Sequence, residues 1–194
     1  MSKFFTLFIV LFATSSLFAT TESFPFIGVT TSTQTIDLMS EVTDPPNRLE
    51  NPASVDTTTL GIQYGVQTPD YRTMFTLEGN SDFQTIDVEV DYILFDELFG
   101  TPKVRPYVGA TLGYIHYDEA LITQYNENRI SYNEENDINT TISVSDGYYG
   151  LNFGLLFYIS DSIDLDVSYH YYFMDRLEPL DTMRGVRFSL HYFY

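Results

Sequence analysis

The most constraining feature of this sequence is a strict alternation of apolar and charged residues. In the segment TIDVEVDYIL, apolar residues alternate with the carboxylates Asp87, Glu89 and Asp91. A β-strand sends successive side chains to opposite faces, whereas a helix would spread the same carboxylates around its circumference. The segment SIDLDVSYHYYF, residues 162–173, repeats the alternation. Both segments are therefore predicted to be strands with one apolar and one polar face.

Segments of this kind recur along most of the chain. The sequence also contains 16 Tyr and 16 Phe, and aromatic residues favour strands over helices. We therefore predict an all-β fold with eight antiparallel strands. The predicted strands cover residues 24–37, 58–67, 71–80, 84–94, 105–117, 147–158, 163–174 and 183–194.

The N-terminal residues have the pattern of a secretory signal peptide. Lys3 supplies a positive charge, an apolar run follows over residues 4–13, and Ala19 is a small residue before a possible cleavage site. The predicted organisation is a signal peptide at 1–19 and a barrel domain at 20–194. An N-terminal membrane anchor or a first buried strand is the alternative.

Composition excludes several classes of function. The chain has no cysteine, so disulfides, thiolate metal sites and cysteine nucleophiles are impossible. It has 27 acidic residues against 9 Lys and Arg, a net charge of -18. Such a charge repels a phosphate backbone, so nucleic acid is not an expected partner.

Two architectures suit eight alternating strands. A soluble lipocalin-like barrel points its apolar face inward, whereas a membrane barrel points it outward to lipid. Glycines recur on the polar face of the second, fifth and sixth predicted strands. Glycine weakens a solvent-exposed strand, but inside a narrow barrel it makes room for large side chains. With strands of about ten residues, long enough to cross a bilayer, the pattern favours the membrane barrel. The predicted fold is therefore an eight-stranded antiparallel up-and-down transmembrane β-barrel.

The last predicted strand carries the most specific resemblance. It reads RFSLHYFY, with a basic residue at Arg187 and alternating aromatic residues at Tyr192 and Tyr194. Together with the signal peptide and the eight strands, it resembles the small outer-membrane β-barrels of Gram-negative bacteria, the OmpA-like group of the porin family. In that group the residues matching Arg187, Tyr192 and Tyr194 form a C-terminal insertion signal, although Ser189 stands where glycine is usual.

The resemblance implies a place in the cell envelope. The expected location is the outer membrane, with both termini in the periplasm and the loops at 38–57, 118–146 and 175–182 on the cell surface. The expected partners are outer-membrane lipids, lipopolysaccharide and, during insertion, the barrel-assembly machinery. The protein is expected to be a monomer without enzymatic activity or cofactors.

The polar faces predict a charged lumen. Counting from the predicted turns places Arg72 opposite Glu89 and Asp91, Arg187 near Ser168 or His170, and His191 near Asp164 or Asp166. Charges enclosed in this way must pair or be hydrated. The set is predicted to seal the barrel, and a narrow cation-preferring pathway is the alternative. Its members are Arg72, Glu78, Asp87, Glu89, Asp91, Asp164, Asp166, His170, Arg187 and His191.

Two further hypotheses concern chemistry. Ser168 with His170, and Ser189 with His191, have the two-residue spacing of a serine and its base on one strand face. That spacing occurs in reversed order in the barrel deacylases that act on lipid A, and both pairs are predicted to face the lumen, away from any acyl chain. The acidic segment 118–146 has oxygen ligands suited to Ca²⁺ or Mg²⁺ but no EF-hand spacing, so no metal site is predicted.

Overall fold

The structure is a computed structural model that describes residues 22–38, 54–81, 83–95, 98, 100–117, 145–174 and 180–194. The predicted signal peptide and nearly all of the acidic segment at 118–146 lie outside these ranges. Over the part of the chain that is described, no helix has the length and apolar character needed to span a membrane.

Eight strands form one closed antiparallel barrel in which each strand pairs with its neighbours in sequence and β8 pairs with β1. This confirms the predicted fold class. The strands are β1 (Phe24–Leu38), β2 (Ser54–Gln67), β3 (Tyr71–Gly79), β4 (Phe83–Ile93), β5 (Val104–Tyr117), β6 (Ser145–Ser160), β7 (Ile163–Phe173) and β8 (Leu180–Phe193).

Several strands are longer than predicted. β2 begins at Ser54 rather than 58, β6 covers 145–160 rather than 147–158, and β8 begins at Leu180 rather than 183. The backbone pairing continues past the last apolar outward residue, so that Thr35 pairs with Asp56 on one side and Arg184 on the other. Apolar alternation stops at that boundary, whereas the hydrogen-bond ladder does not. The loops at 38–57 and 175–182 are correspondingly shorter than expected.

The register determines how the barrel is closed. Stepping from partner to partner around the barrel from Ile27 on β1 returns to β1 at Asp37, ten residues further along. A shift of this size requires strongly tilted strands, roughly 35–45° from the axis. An eight-stranded barrel of this kind is just wide enough for side chains to fill its interior.

Backbone hydrogen bonds hold the chain at both ends of the barrel. At the near end, where β1 begins and β8 ends, Thr68 N donates to Tyr71 O at 2.7 Å in the β2–β3 turn. The C-terminus is also held there, because Tyr194 N donates to Pro25 O at 3.2 Å. At the far end, Asn80 N donates to Phe83 O at 2.9 Å and closes the β3–β4 turn.

The strand faces are assigned by burial. On β4 the carboxylates Asp87 and Glu89 are 1% and 0% exposed, whereas Ile86 and Val90 are 40% and 46% exposed. The charged face is therefore inside and the apolar face outside. This arrangement is the reverse of a lipocalin-like barrel and agrees with the predicted membrane barrel.

Candidate functional site

The lumen holds every predicted member of the charged set. Within the described ranges, the buried acidic, arginine and histidine side chains are those ten residues and no others. They come from β3, β4, β7 and β8, whereas β1, β5 and β6 contribute mainly neutral side chains and glycines to the interior. The charges therefore approach one another across the lumen as well as along it.

Arg72 is the centre of the first group of charges. It pairs in register with Asp91 on β4, and its Nε donates to Asp91 Oδ2 at 2.8 Å. Its Nη2 lies 2.8 Å from the same oxygen and 2.7 Å from Asp166 Oδ2 on β7. The guanidinium also lies 4.6 Å from the ring centre of Tyr107. Arg72 thus joins β3, β4, β5 and β7 through short contacts.

Arg187 is the centre of the second group. It pairs in register with Ser168 on β7, and its guanidinium lies 3.4 Å from Glu78, 3.6 Å from Asp87 and 3.3 Å from Glu89. The contacts are longer than those of Arg72, and they are shared among three carboxylates on β3 and β4. Arg187 therefore balances several charges at once.

Carboxylates outnumber guanidiniums in this interior by six to two. Neutral donors supply part of the missing stabilisation. Asn152 Nδ2 donates to Glu89 Oε1 and to Asp91 Oδ1, both at 2.7 Å. Tyr107 donates to Asp166 at 2.8 Å, and Tyr148 donates to Asp87 at 3.0 Å. Hydrogen bonds of this kind partly replace the water that a buried carboxylate loses.

His191 forms a separate pair at the near end. Its Nδ1 lies 2.7 Å from Asp164 Oδ1 and its Nε2 lies 2.8 Å from Gln63 Oε1. An oxygen atom thus faces each nitrogen of the imidazole ring. The ring of Phe26 covers it at a centroid distance of 4.6 Å.

The first serine and histidine pair is brought together but is enclosed. Ser168 Oγ lies 2.8 Å from His170 Nε2, and Tyr172 OH lies 2.7 Å from His170 Nδ1. Arg187 Nη2 donates to Tyr172 OH at 3.3 Å. Both ring nitrogens of His170 are therefore engaged with neighbouring hydroxyls inside the lumen.

The second pair does not meet at all. Ser189 Oγ donates to Thr30 Oγ1 at 2.9 Å, and His191 is engaged with Asp164 and Gln63. Both serines and both histidines are at most 3% exposed. Neither pair is therefore accessible from the outer face of the barrel.

Sequence reasoning missed two apolar layers inside the lumen, one toward each end of the barrel from the charges. A set of inward side chains packs together at the far end, namely Ile36, Phe83, Ile115, Tyr117, Tyr148, Tyr172, Met174 and Met183. At the near end Ile93, Tyr107 and Leu156 do the same, with Tyr158 against them. Extending the alternation of inward and outward residues to the end of each strand would have identified these residues.

Inward glycines accommodate the tyrosines that join the layers to the charges. A Cβ added at Gly113 would overlap the ring of Tyr148, and one at Gly154 would overlap the ring of Tyr107. Each tyrosine thus packs its ring in an apolar layer and directs its hydroxyl to a carboxylate. This is the use of inward glycine expected from the sequence.

The remaining predicted residues lie at the surface or outside the described part of the chain. Tyr192 and Tyr194 are outward and exposed, whereas Arg187 is inside, so the three residues of the predicted insertion signal do not share a face. The hypothetical metal ligands of 118–144 lie outside the described residues. Among those described, no group of three or more histidine, aspartate or glutamate side chains is arranged to hold a metal ion.

Comparison with solved structures identifies the fold. The crystal structure of Neisserial surface protein A matches with a TM-score of 0.55 and 13% identity, over 88% of this chain and 97% of that one. The N-terminal barrel domain of Pseudomonas aeruginosa OprF has 14% identity over 85% of this chain and 97% of that one, with a TM-score of 0.43. A de novo designed transmembrane barrel reaches 0.46 with 14% identity, over 88% of this chain and 95% of that one.

These similarities concern the fold alone. No family model matches the chain, and no curated protein matches it in sequence. The match to Neisserial surface protein A nevertheless covers nearly the whole of that protein's chain. The chain therefore has the fold of the small eight-stranded outer-membrane barrels.

Proposed function

We propose that this protein is a non-enzymatic integral barrel of the outer membrane, with a structural role in the envelope or a role in surface contact. The observation that carries the proposal is the inversion of the barrel faces. Ten charged or histidine side chains are buried inside, while most of the large exposed residues on the outer face are apolar or aromatic. Such a surface is unfavourable in water and suits hydrocarbon.

Aromatic side chains near both ends of the outer face support a bilayer setting. Tyr71 and Tyr92 pair near the near end with ring centres 5.1 Å apart. Tyr149 and Phe173 stack at the far side of β6 and β7 with ring centres 5.4 Å apart. Transmembrane barrels have aromatic girdles at both membrane interfaces.

Folding into lipid vesicles tests this proposal directly. Leu112 is outward and 59% exposed in the middle of β5, so Leu112→Arg is expected to destabilise the inserted barrel by about 2–4 kcal/mol. His116 is also outward but lies at the far end of the same strand, so His116→Arg is the matched control. It should cost under about 1 kcal/mol beyond the loss of the contact between His116 Nδ1 and Ser145 Oγ at 2.6 Å. The measurement is urea unfolding monitored by the heat-modifiable gel mobility of the folded barrel.

A wild-type protein that stays soluble and folded without detergent or lipid would overturn the membrane proposal. Equal destabilisation by Leu112→Arg and His116→Arg would also overturn it, because the free-energy cost of a charge on a water-exposed face does not depend on its depth along the strand. Recovery of the native protein in the outer-membrane fraction is the cellular counterpart of this test.

The orientation is proposed from the positions of the long connections. The far end carries the segments 39–53, 118–144 and 175–179, and the far end is proposed to face the cell surface with both termini in the periplasm. Because the chain has no cysteine, a single introduced cysteine reports its side. A membrane-impermeant maleimide on intact cells should label Asp181→Cys and not Lys103→Cys, and the reverse pattern would invert the orientation.

A second candidate function is a narrow cation-preferring channel. The observation in its favour is the excess of six carboxylates over two guanidiniums in the lumen. Arg72→Ala and Arg187→Ala would each remove a cross-lumen contact and are expected to raise conductance if the pathway exists. Planar-bilayer recordings without discrete cation-selective openings in the wild type and both variants would leave only the structural or surface-contact role.

A further inference from the structure

The outer face of the barrel is concave around β1. A groove of about 640 Å³ lies there, and its lining is almost entirely apolar. The outward residues along it belong to β1, β2, β3, β7 and β8. It is therefore a feature of the barrel wall at membrane depth. Its lining also includes Gln63 and His191, whose buried side chains lie on the lumen side of that wall.

The strand register explains the shape of the groove. Ile27 on β1 pairs with Tyr64 on β2 and with Tyr192 on β8. One step further along, Val29 pairs with Ile62 and Leu190. Two short β-branched side chains thus form a floor between longer side chains on both neighbouring strands.

The walls continue outward through the next strands. Phe75 pairs with Tyr64 and Leu77 pairs with Ile62, both on the β3 side. On the other side Ile163 pairs with Tyr192. All three residues also line the groove. The floor at Ile27 and Val29 is therefore flanked by β2 and β3 on one side and by β8 and β7 on the other.

We infer that this groove binds one acyl chain of a glycerophospholipid from the leaflet at the near end of the barrel. The inference rests on the proposed membrane location. Among the described residues that line the groove there is no aspartate, glutamate, lysine or arginine, and the polar Gln63 and His191 are at most 3% exposed. The floor of the groove is continuous with the lipid-facing surface. An uncharged hydrocarbon chain is the occupant that matches both properties.

The size and the two ends of the groove match a lipid chain. A methylene group takes about the volume of a water molecule, roughly 30 Å³, so 640 Å³ holds a chain of ordinary length. Tyr64 and Tyr192 stand at the near end, where their hydroxyls would meet the headgroup region. At the other end the outward residue is Thr31, whose Oγ1 donates to Thr59 O at 3.0 Å, and the apolar floor stops there.

The position along the barrel selects the lipid source. The floor residues lie in the near half of β1, so the groove lies in the near half of the barrel wall. In the proposed orientation the near end faces the periplasm, whose leaflet consists of glycerophospholipid, whereas lipid A lies in the opposite leaflet. The two sources share acyl chains but differ in headgroup and mass.

A large side chain introduced on the floor of the groove should displace the bound lipid. Val29→Trp places an indole on the floor, and Val90→Trp is the matched control, because Val90 is also an exposed outward valine but pairs with the small residues Thr73 and Ala110. Each protein is folded into vesicles of phosphatidylethanolamine and phosphatidylglycerol, with and without lipid A. Native mass spectrometry after detergent extraction then counts the retained lipids.

We expect one retained phospholipid on the wild type and on Val90→Trp, and at least a tenfold lower occupancy on Val29→Trp. Equal occupancy on the two variants, or no retained phospholipid on the wild type, would overturn the inference. Retention of lipid A instead, or of a second copy of the chain, would also overturn it by naming a different occupant.

The same samples separate this inference from the proposed function. Heat-modifiable gel mobility shows whether each protein has inserted. A wild type that fails to insert contradicts the membrane proposal, whereas an inserted wild type without retained lipid contradicts the groove alone. If Val29→Trp does not fold, Val29→Phe against Val90→Phe makes the same comparison with a smaller side chain.

Discussion

Arg72 and Arg187 are both completely buried in the same lumen, yet they are held in different ways. Arg72 makes three contacts of 2.7–2.8 Å to two carboxylates. Arg187 makes contacts of 3.3–3.6 Å to three. Arg72 lies against the near apolar layer through Tyr107, and Arg187 reaches the far layer through Tyr172.

The different contact lengths indicate that the two arginines have different roles in the lumen. Short charge-assisted contacts define a geometry, and those of Arg72 tie β3 to β4 and β7. The longer contacts of Arg187 define the geometry less strictly and mainly supply positive charge to a cluster of carboxylates. The following variants test whether this division is real, from the largest expected effect to the smallest.

Arg72→Met is expected to destabilise the folded barrel most, by about 3–5 kcal/mol, because it leaves two closely paired carboxylates buried without their partner. The measurement is urea unfolding in lipid vesicles. Arg72→Met combined with Asp91→Asn should recover part of the loss, since one of the abandoned charges is then absent. A double variant as unstable as the sum of the single variants would show that the contact contributes no coupling.

Arg187→Met is expected to cost less, about 1.5–3 kcal/mol at neutral pH, in keeping with its longer contacts. The measurement is again urea unfolding in lipid vesicles. A cost that is larger than that of Arg72→Met would contradict the assigned charge-balancing role.

Gly154→Val is expected to cost about 1–3 kcal/mol, because the new side chain overlaps the ring of Tyr107 and disturbs its hydrogen bond to Asp166. Gly147→Val is the matched control on the same strand. Gly147 is exposed, and the nearest atom to an added Cβ is Gly113 O at 3.6 Å. Equal stability of the two variants would show that Tyr107 does not need the space at Gly154.

Arg184→Ala should have the smallest effect of all. Its partner Asp37 lies 3.4 Å away, and the arginine side chain is 47% exposed. An ion pair in water contributes about 0–1 kcal/mol. If Arg184→Ala lowered the free energy of unfolding as much as either lumen variant, burial would not explain the larger contributions of Arg72 and Arg187.

Much of the barrel could be predicted from the sequence because strand alternation is a local property. Asp87, Glu89 and Asp91 must share one face of β4 whatever surrounds them. Turn positions then predicted the neighbours, and the structure pairs Arg72 with Asp91 and Arg187 with Ser168. Strand ends were less predictable, since pairing continues to Ser54 and Leu180 beyond the apolar pattern.

The sequence by itself determined which residues share a strand face, because side-chain direction alternates with every residue of a strand. Only the tertiary structure decided how Asp166 on β7 meets Arg72 on β3, and where Ile27 and Val29 form the floor of a groove. These contacts depend on closure with a shift of ten residues, which brings distant strands across one lumen. Closure is a property of all eight strands together, so no single segment encodes it.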